Sequence, residues 1–219
     1  MLESLIESVR SYVEALPYIL PAVLIAIIFH ESAHGWMSHL LGDPTPKLAG
    51  RLSLNPLKHL DPMGTLCLLL FRMGWAKPVP VDPRHYRNPR MGLILVALAG
   101  PGVNLVLALF FYLLRGLIFL YAPYTEVTLY LFDLTAYCAA VNVGLAMFNL
   151  VPIPPLDGSK VLGNLVPQVG GLYRKFREWW RPVLLVLLVS GILSEVLYTL
   201  NSTVNDLIWR LSCLLLGIG

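Results

Sequence analysis

Residues 30–34 read His-Glu-Ser-Ala-His, the pattern H-E-x-x-H. On a helix, positions i and i+4 share a face, so His30 and His34 can point at one ion. Glu31 lies one step round, within reach of a water beside that ion. Two imidazole ligands with a carboxylate base are the donor set of zinc-dependent peptide hydrolysis. The motif follows Ile25-Ala26-Ile27-Ile28-Phe29, one of the most apolar stretches of the chain. Imidazoles and a carboxylate are costly in lipid, and ionisable groups there mark function before packing. A pair of satisfied core histidines would leave the glutamate between them unexplained.

A catalytic zinc usually holds three protein ligands and one open position. Six residues beyond His34 stands Leu40, and His39 points off the shared face. No glutamate follows until Glu126, so the third ligand comes from another segment. The candidates are Asp43, Asp61, Asp82, Asp157, His59 and His85. Asp43 in Gly42-Asp43-Pro44 and Asp61 before Pro62 read as turn or cap residues. Asp82 and His85 sit in a basic, proline-containing surface segment. Asp157 follows Val151-Pro152-Ile153-Pro154-Pro155-Leu156 and precedes Gly158. The prolines forbid helix and hold the chain extended, and Gly158 permits a sharp turn with close backbone approach. This favours Asp157, with a helix N-cap for 159–166 as its alternative role.

The elements that must position these residues cross a membrane. Of 219 residues, 57% are hydrophobic and 13% charged, about half the charged fraction of a soluble domain. The expected fold is an all-α polytopic membrane protein, a bundle of about 4–6 transmembrane helices. Spans are predicted at 18–41, 91–114, 127–150 and 182–200, each long enough for roughly 30 Å of hydrocarbon. Residues 1–16 suggest a short amphipathic surface helix, and their three glutamates against Arg10 exclude a cleavable signal. Residues 203–219, interrupted by Asp206 and Arg210, suggest a short re-entrant or interfacial helix. Apolar Gly64 to Trp75 is too short to span, so a re-entrant or β-hairpin segment is expected near 62–82. Its edge is suited to an extended substrate, with a loop packed on the bundle as the equal alternative. The whole is read as one domain over 1–219, with its core at 18–165 and C-terminal helices at 182–219.

Eight of the sixteen Lys and Arg lie between 42 and 90, and five between 151 and 181. These loops are expected on the cytoplasmic side, with the N-terminus outside. The cytoplasmic half of the first span then lies level with the start of loop 151–181. No basic face on a soluble module is present, which excludes nucleic acid as partner. Cys67, Cys138 and Cys213, dispersed in apolar surroundings, fit neither a disulfide framework nor a thiolate metal site. Trp36, Trp75, Trp179 and Trp180 read as interfacial anchors. Gly100, Pro101 and Gly102 read as a close-packing surface of the second span, or as a place where it bends.

His30-Glu31-Ser32-Ala33-His34, Ala99-Gly100-Pro101-Gly102-Val103-Asn104 and Asn149-Leu150-Val151-Pro152-Ile153-Pro154-Pro155-Leu156-Asp157-Gly158 together resemble the site-2 protease family of intramembrane zinc metalloproteases. Gly50-Arg51-Leu52-Ser53-Leu54-Asn55-Pro56 and Asp61-Pro62-Met63-Gly64 extend the resemblance, which runs from about 22 to 165 in the family's order. It implies one zinc ion held by His30, His34 and Asp157, with Glu31 as catalytic base and Asn149 on the reacting carbonyl or its oxyanion. Asn104 matches the family's second-span asparagine and is expected at the substrate. The implied substrate is a transmembrane helix, and the expected location is a prokaryotic cell membrane with the site toward the cytoplasm. The chain has no room for a PDZ domain. A metal-site transporter or a proteolytically inactive relative that binds membrane partners remains as an alternative. Asp133 and Glu195, near span middles, are the carboxylates a transporter would use.

Overall fold

The computed structural model describes residues 2–64 and 76–218. Helix α1 (Leu2–Leu40) continues through Pro17 and Pro21. Proline at 21 has no N–H for the carbonyl of Pro17; the Tyr130 hydroxyl donates to that carbonyl instead, at 3.2 Å. The expected separate surface helix over 1–16 is therefore the first part of one long rod. Gly42, at φ +103°, ends it.

A one-turn helix α2 (Thr45–Leu48) and two 3₁₀ turns (Pro56–Lys58 and Pro83–His85) lead to α3 (Pro89–Tyr121). Asn88 caps α3 by accepting from the Met91 N–H, with Pro89 at its first position. Helix α4 (Glu126–Leu150) opens on a reciprocal Thr125–Thr128 capping box and stops before Pro152. Then come α5 (Asp157–Leu165), α6 (Pro167–Lys175), α7 (Trp180–Val189) and α8 (Ile192–Leu216).

Among the described residues, three helical segments are long and apolar enough to cross a membrane: Arg10–Leu40, Pro89–Tyr121 and Glu126–Leu150. A fourth span exists if the bent pair α7–α8 counts as one. The predicted span over 182–200 is not straight, because Gly191 at φ +79° turns the chain by 74°. The predicted interfacial helix over 203–219 is the continuation of α8. Most of the proposed re-entrant or β-hairpin segment, residues 65–75, lies outside the described residues. At its edges Leu60 and Ala76 form an isolated antiparallel bridge, and no strand occurs among the described residues.

Helices α1, α3 and α4 pack mutually, α5 lies against α3, and α8 covers α3 and α4. Their contacts are made of small side chains: Ala22, Ala26, Ala97, Ala108, Ala139, Val143 and Ala146 are all buried. Close backbone approach through such residues drives association where lipid removes the hydrophobic term. Val106, Phe110, Phe119 and Val127 face outward, suited to acyl chains.

Candidate metal centre

Helix α1 presents His30 and His34 on one face, and both are buried. Asp157, the first residue of α5, enters the same space from the other end of the sequence. His30 Nε2 lies 3.0 Å from His34 Nε2 and 3.2 Å from Asp157 Oδ2. His34 Nε2 lies 3.1 Å from the same carboxylate oxygen. The ligand atoms of these three residues all fall within 4.8 Å of one another, as a metal site requires.

The hydrogen-bond network fixes which ring nitrogens carry protons. His34 Nδ1 lies 2.7 Å from the Val96 carbonyl, which can only accept. Asn104 donates from Nδ2 to the Ala26 carbonyl and to Asn142 Oδ1. Its Oδ1 therefore faces His30 Nδ1, at 2.6 Å, as acceptor. Both imidazoles carry a proton on Nδ1, so in the neutral rings both Nε2 atoms present lone pairs. Two nitrogen lone pairs and a carboxylate oxygen converge about 3 Å apart in a buried space. Such a set repels itself unless a cation lies among its members. Ligands about 2.0–2.1 Å from a tetrahedral zinc stand roughly 3.3 Å apart, close to what is seen. The grouping is compatible with a single zinc site.

The surrounding backbone is shaped to this cluster. Gly100 of α3 faces the two rings, and a Cβ there would lie 2.6 Å from His34 Nε2 and 2.7 Å from His30 Cε1. Of the two readings of Gly100-Pro101-Gly102, close packing holds at Gly100, while Gly102 has open space. Gly158 approaches the Leu150 and Val151 carbonyls so closely that no Cβ fits. Residues 151–156 do not run extended. Turn hydrogen bonds from Ile153 to Val151 and from Leu156 to Ile153 fold them tightly. The N-cap of α5 is Leu156, without a side-chain cap bond, which leaves the Asp157 carboxylate for the histidines. Lys160, one turn on, donates to Asp157 Oδ1 at 2.7 Å.

Glu31 is half-buried, and its Oε2 accepts from the Val79 N–H at 3.0 Å. Asn104, expected at the substrate, is instead wholly buried behind His30, with its oxygen and amide nitrogen engaged inside the protein. Asn149 donates to the Leu145 carbonyl at 2.9 Å within α4. The other ligand candidates serve elsewhere. Asp61 accepts from the Gly64 N–H. His59 reaches the Ser53 carbonyl.

Asp43 is fully buried where α1 ends and holds the loops beneath the site. It accepts from Ser38 Oγ, the Thr45 N–H and the Asp82 N–H. Burial pushes its carboxyl up, but these hydrogen bonds outweigh it and the net direction is down. Asp82 is held down to about 2 by the Arg84 guanidinium and the Arg84 N–H. The Tyr86 hydroxyl, 2.7 Å from Ser38 Oγ, closes the knot and is pushed up by burial.

Two participants escape sequence reasoning. Val79 acts through its backbone, which no side-chain pattern reports. Asn142, fully buried on α4, completes the Asn104 network. Its one signal was being a polar residue inside an apolar span.

Residues 115–191 match peptidase family M50. "Putative zinc metalloprotease YwhC" of Bacillus subtilis is 36% identical over 199 residues, spanning 90% of this chain and 91% of the relative. "Putative zinc metalloprotease Rip2" of Mycolicibacterium smegmatis is 30% identical over 196 residues, spanning 87% and 73%. No solved structure matches.

Proposed function

This chain belongs to peptidase family M50, the site-2 protease family, and on that premise we propose an intramembrane endopeptidase. It is a zinc metalloendopeptidase in an apolar helical bundle; the proposed substrates are membrane proteins, cut within or next to a transmembrane helix. The observation that carries this is the meeting of His30, His34 and Asp157 with both imidazole tautomers already set.

In this reading His30, His34 and Asp157 would hold one zinc ion. When bound, zinc supplies Lewis acidity that polarises the scissile carbonyl and acidifies a water. Glu31 is placed to take a proton from a water as its oxygen bonds to the scissile carbonyl carbon, and to give that proton to the amine nitrogen as the C–N bond breaks. The Val79 N–H keeps one carboxylate oxygen of Glu31 oriented. Asn149 is assigned the developing oxyanion; of its two amide N–H donors, one is given to Leu145. The substrate helix must unwind locally, because its carbonyls are otherwise closed by intrahelical bonds.

The site opens toward the cytoplasm. That orientation rests on the Lys and Arg of loops 42–90 and 151–181. The test is incubation of zinc-loaded protein in detergent with several single-span helices, followed by mass analysis of fragments. Wild type is expected to cleave within or beside a span, and Glu31→Gln and Asp157→Ala are expected to be inert. Equal cleavage by Glu31→Gln overturns the assignment.

A further inference from the structure

The two buried asparagines form a relay that runs to the metal site from its far side. Asn142 Nδ2 donates to the Cys138 carbonyl one turn back on α4, at 2.8 Å. That bond leaves Asn142 Oδ1 facing α3, where it accepts from Asn104 Nδ2 at 2.7 Å. Asn104 Nδ2 also donates to the Ala26 carbonyl, so its Oδ1 can only be the atom that meets His30 Nδ1. Each amide orientation dictates the next, from α4 through α3 to α1. Both asparagines are 0% exposed, so water cannot substitute for either partner. If Asn104 flipped, it would set an N–H against His30 Nδ1. The ring would then have to carry its proton on Nε2, the atom that faces His34 and Asp157.

We propose that Asn142 is a positioning residue for the zinc site: by holding the Asn104 amide, it keeps the lone pair of His30 Nε2 directed at the ion. This rests on the zinc reading above. Losing an outer partner of a metal-bound histidine typically weakens metal binding 10–100-fold.

The experiment measures zinc affinity by chelator competition on the full-length protein in detergent, for wild type, Asn142→Leu, Asn142→Ser, Asn142→Asp, Asn104→Leu and the Asn104→Leu/Asn142→Leu pair. Asn142→Leu is expected to weaken zinc tenfold or more. Asn142→Ser is expected to do the same, since its hydroxyl can back-bond to Cys138 but cannot reach Asn104. It carries the test if the leucine variant does not fold. Asn142→Asp, protonated when buried, reproduces both bonds and should stay within about threefold of wild type. The double variant should be no weaker than Asn104→Leu alone, because the effect passes through that residue. Zinc affinity unchanged in Asn142→Ser, a weakened aspartate variant, or additive losses would each refute the relay. Wild type that binds no zinc would instead overturn the metal site itself.

Discussion

Glu31 on α1 is tied to Val79, 48 positions further along the chain, by a backbone N–H to carboxylate hydrogen bond of 3.0 Å. The carboxylate proposed as the base is thus oriented by the loop between the first two spans and not by its own helix. Glu31→Gln keeps the shape of the side chain and can still accept from Val79, but it cannot take a proton. Cleavage should fall by about 10²–10⁴-fold. Zinc content, read by elemental analysis, should stay at one ion per chain.

Val79→Pro removes the donor and leaves the carboxylate. Val79 lies between Pro78 and Pro80, and a residue before proline is held to the extended region that proline itself can adopt. A hydrogen bond to a charged group contributes about 1.5–3 kcal/mol. If that bond orients Glu31 for proton transfer, kcat should drop roughly 10–100-fold with KM and zinc affinity nearly unchanged. An equal rise in KM would place Val79 in substrate binding instead.

Gly100→Ala tests the fit of α3 against the imidazoles. A methyl group 2.6 Å from the His34 ring forces movement. The ring cannot yield freely, because its Nδ1 is bound to Val96. Overpacking of this kind costs about 1–3 kcal/mol. Zinc affinity by chelator competition should fall tenfold or more, whereas Gly102→Ala, facing open space, should behave as wild type.

What was legible follows from where the physics is local. The histidine pair is written in helical spacing, and the return of Asp157 is marked by the prolines before it and Gly158 after it. The spans could be read because lipid demands long apolar runs. The sequence separates a surface helix over 1–16 from a span beginning at 18, but α1 runs unbroken through Pro17 and Pro21, and Tyr130, far away in sequence, satisfies the freed carbonyl of Pro17. Gly191 lies inside an apolar run that reads as one span, and only its left-handed backbone bends it. Asn104 was found by its motif, but its place behind His30 was not, since that depends on how α1 and α3 face each other.

Asp43 gives a pH prediction. Its folded pKa lies below the ordinary carboxylate value because hydrogen bonds from Asp82, Thr45 and Ser38 outweigh its burial. A depressed carboxyl adds stability that is complete above the unfolded pKa, about 3.9. That stability is lost as pH falls through the lower folded value. Asp43→Asn should therefore be less stable than wild type by about 1.5–3 kcal/mol at neutral pH. The gap should close below about pH 3.9. Thermal unfolding of both proteins at matched zinc, from neutral to acid pH, reads it. A gap that widens in acid contradicts the assignment.

Lys160 and Asn104 both touch a zinc-site residue from outside, and their burial sets the order of their effects. Lys160 reaches Asp157 Oδ1 at 2.7 Å, but its side chain is 53% exposed. Water can replace an exposed ammonium, so such a pair contributes roughly 0–1 kcal/mol. Asn104 is fully buried, and nothing replaces its bond to His30. Lys160→Met should accordingly weaken zinc by no more than about fivefold. Asn104→Leu should weaken it tenfold or more. The lysine effect should also shrink in about 1 M salt, where the screening length is about 3 Å, while the asparagine effect should not. Should Lys160→Met prove the more damaging, the ammonium does more than neutralise the outer oxygen of Asp157, and the reading of that oxygen as a bystander to zinc would be wrong.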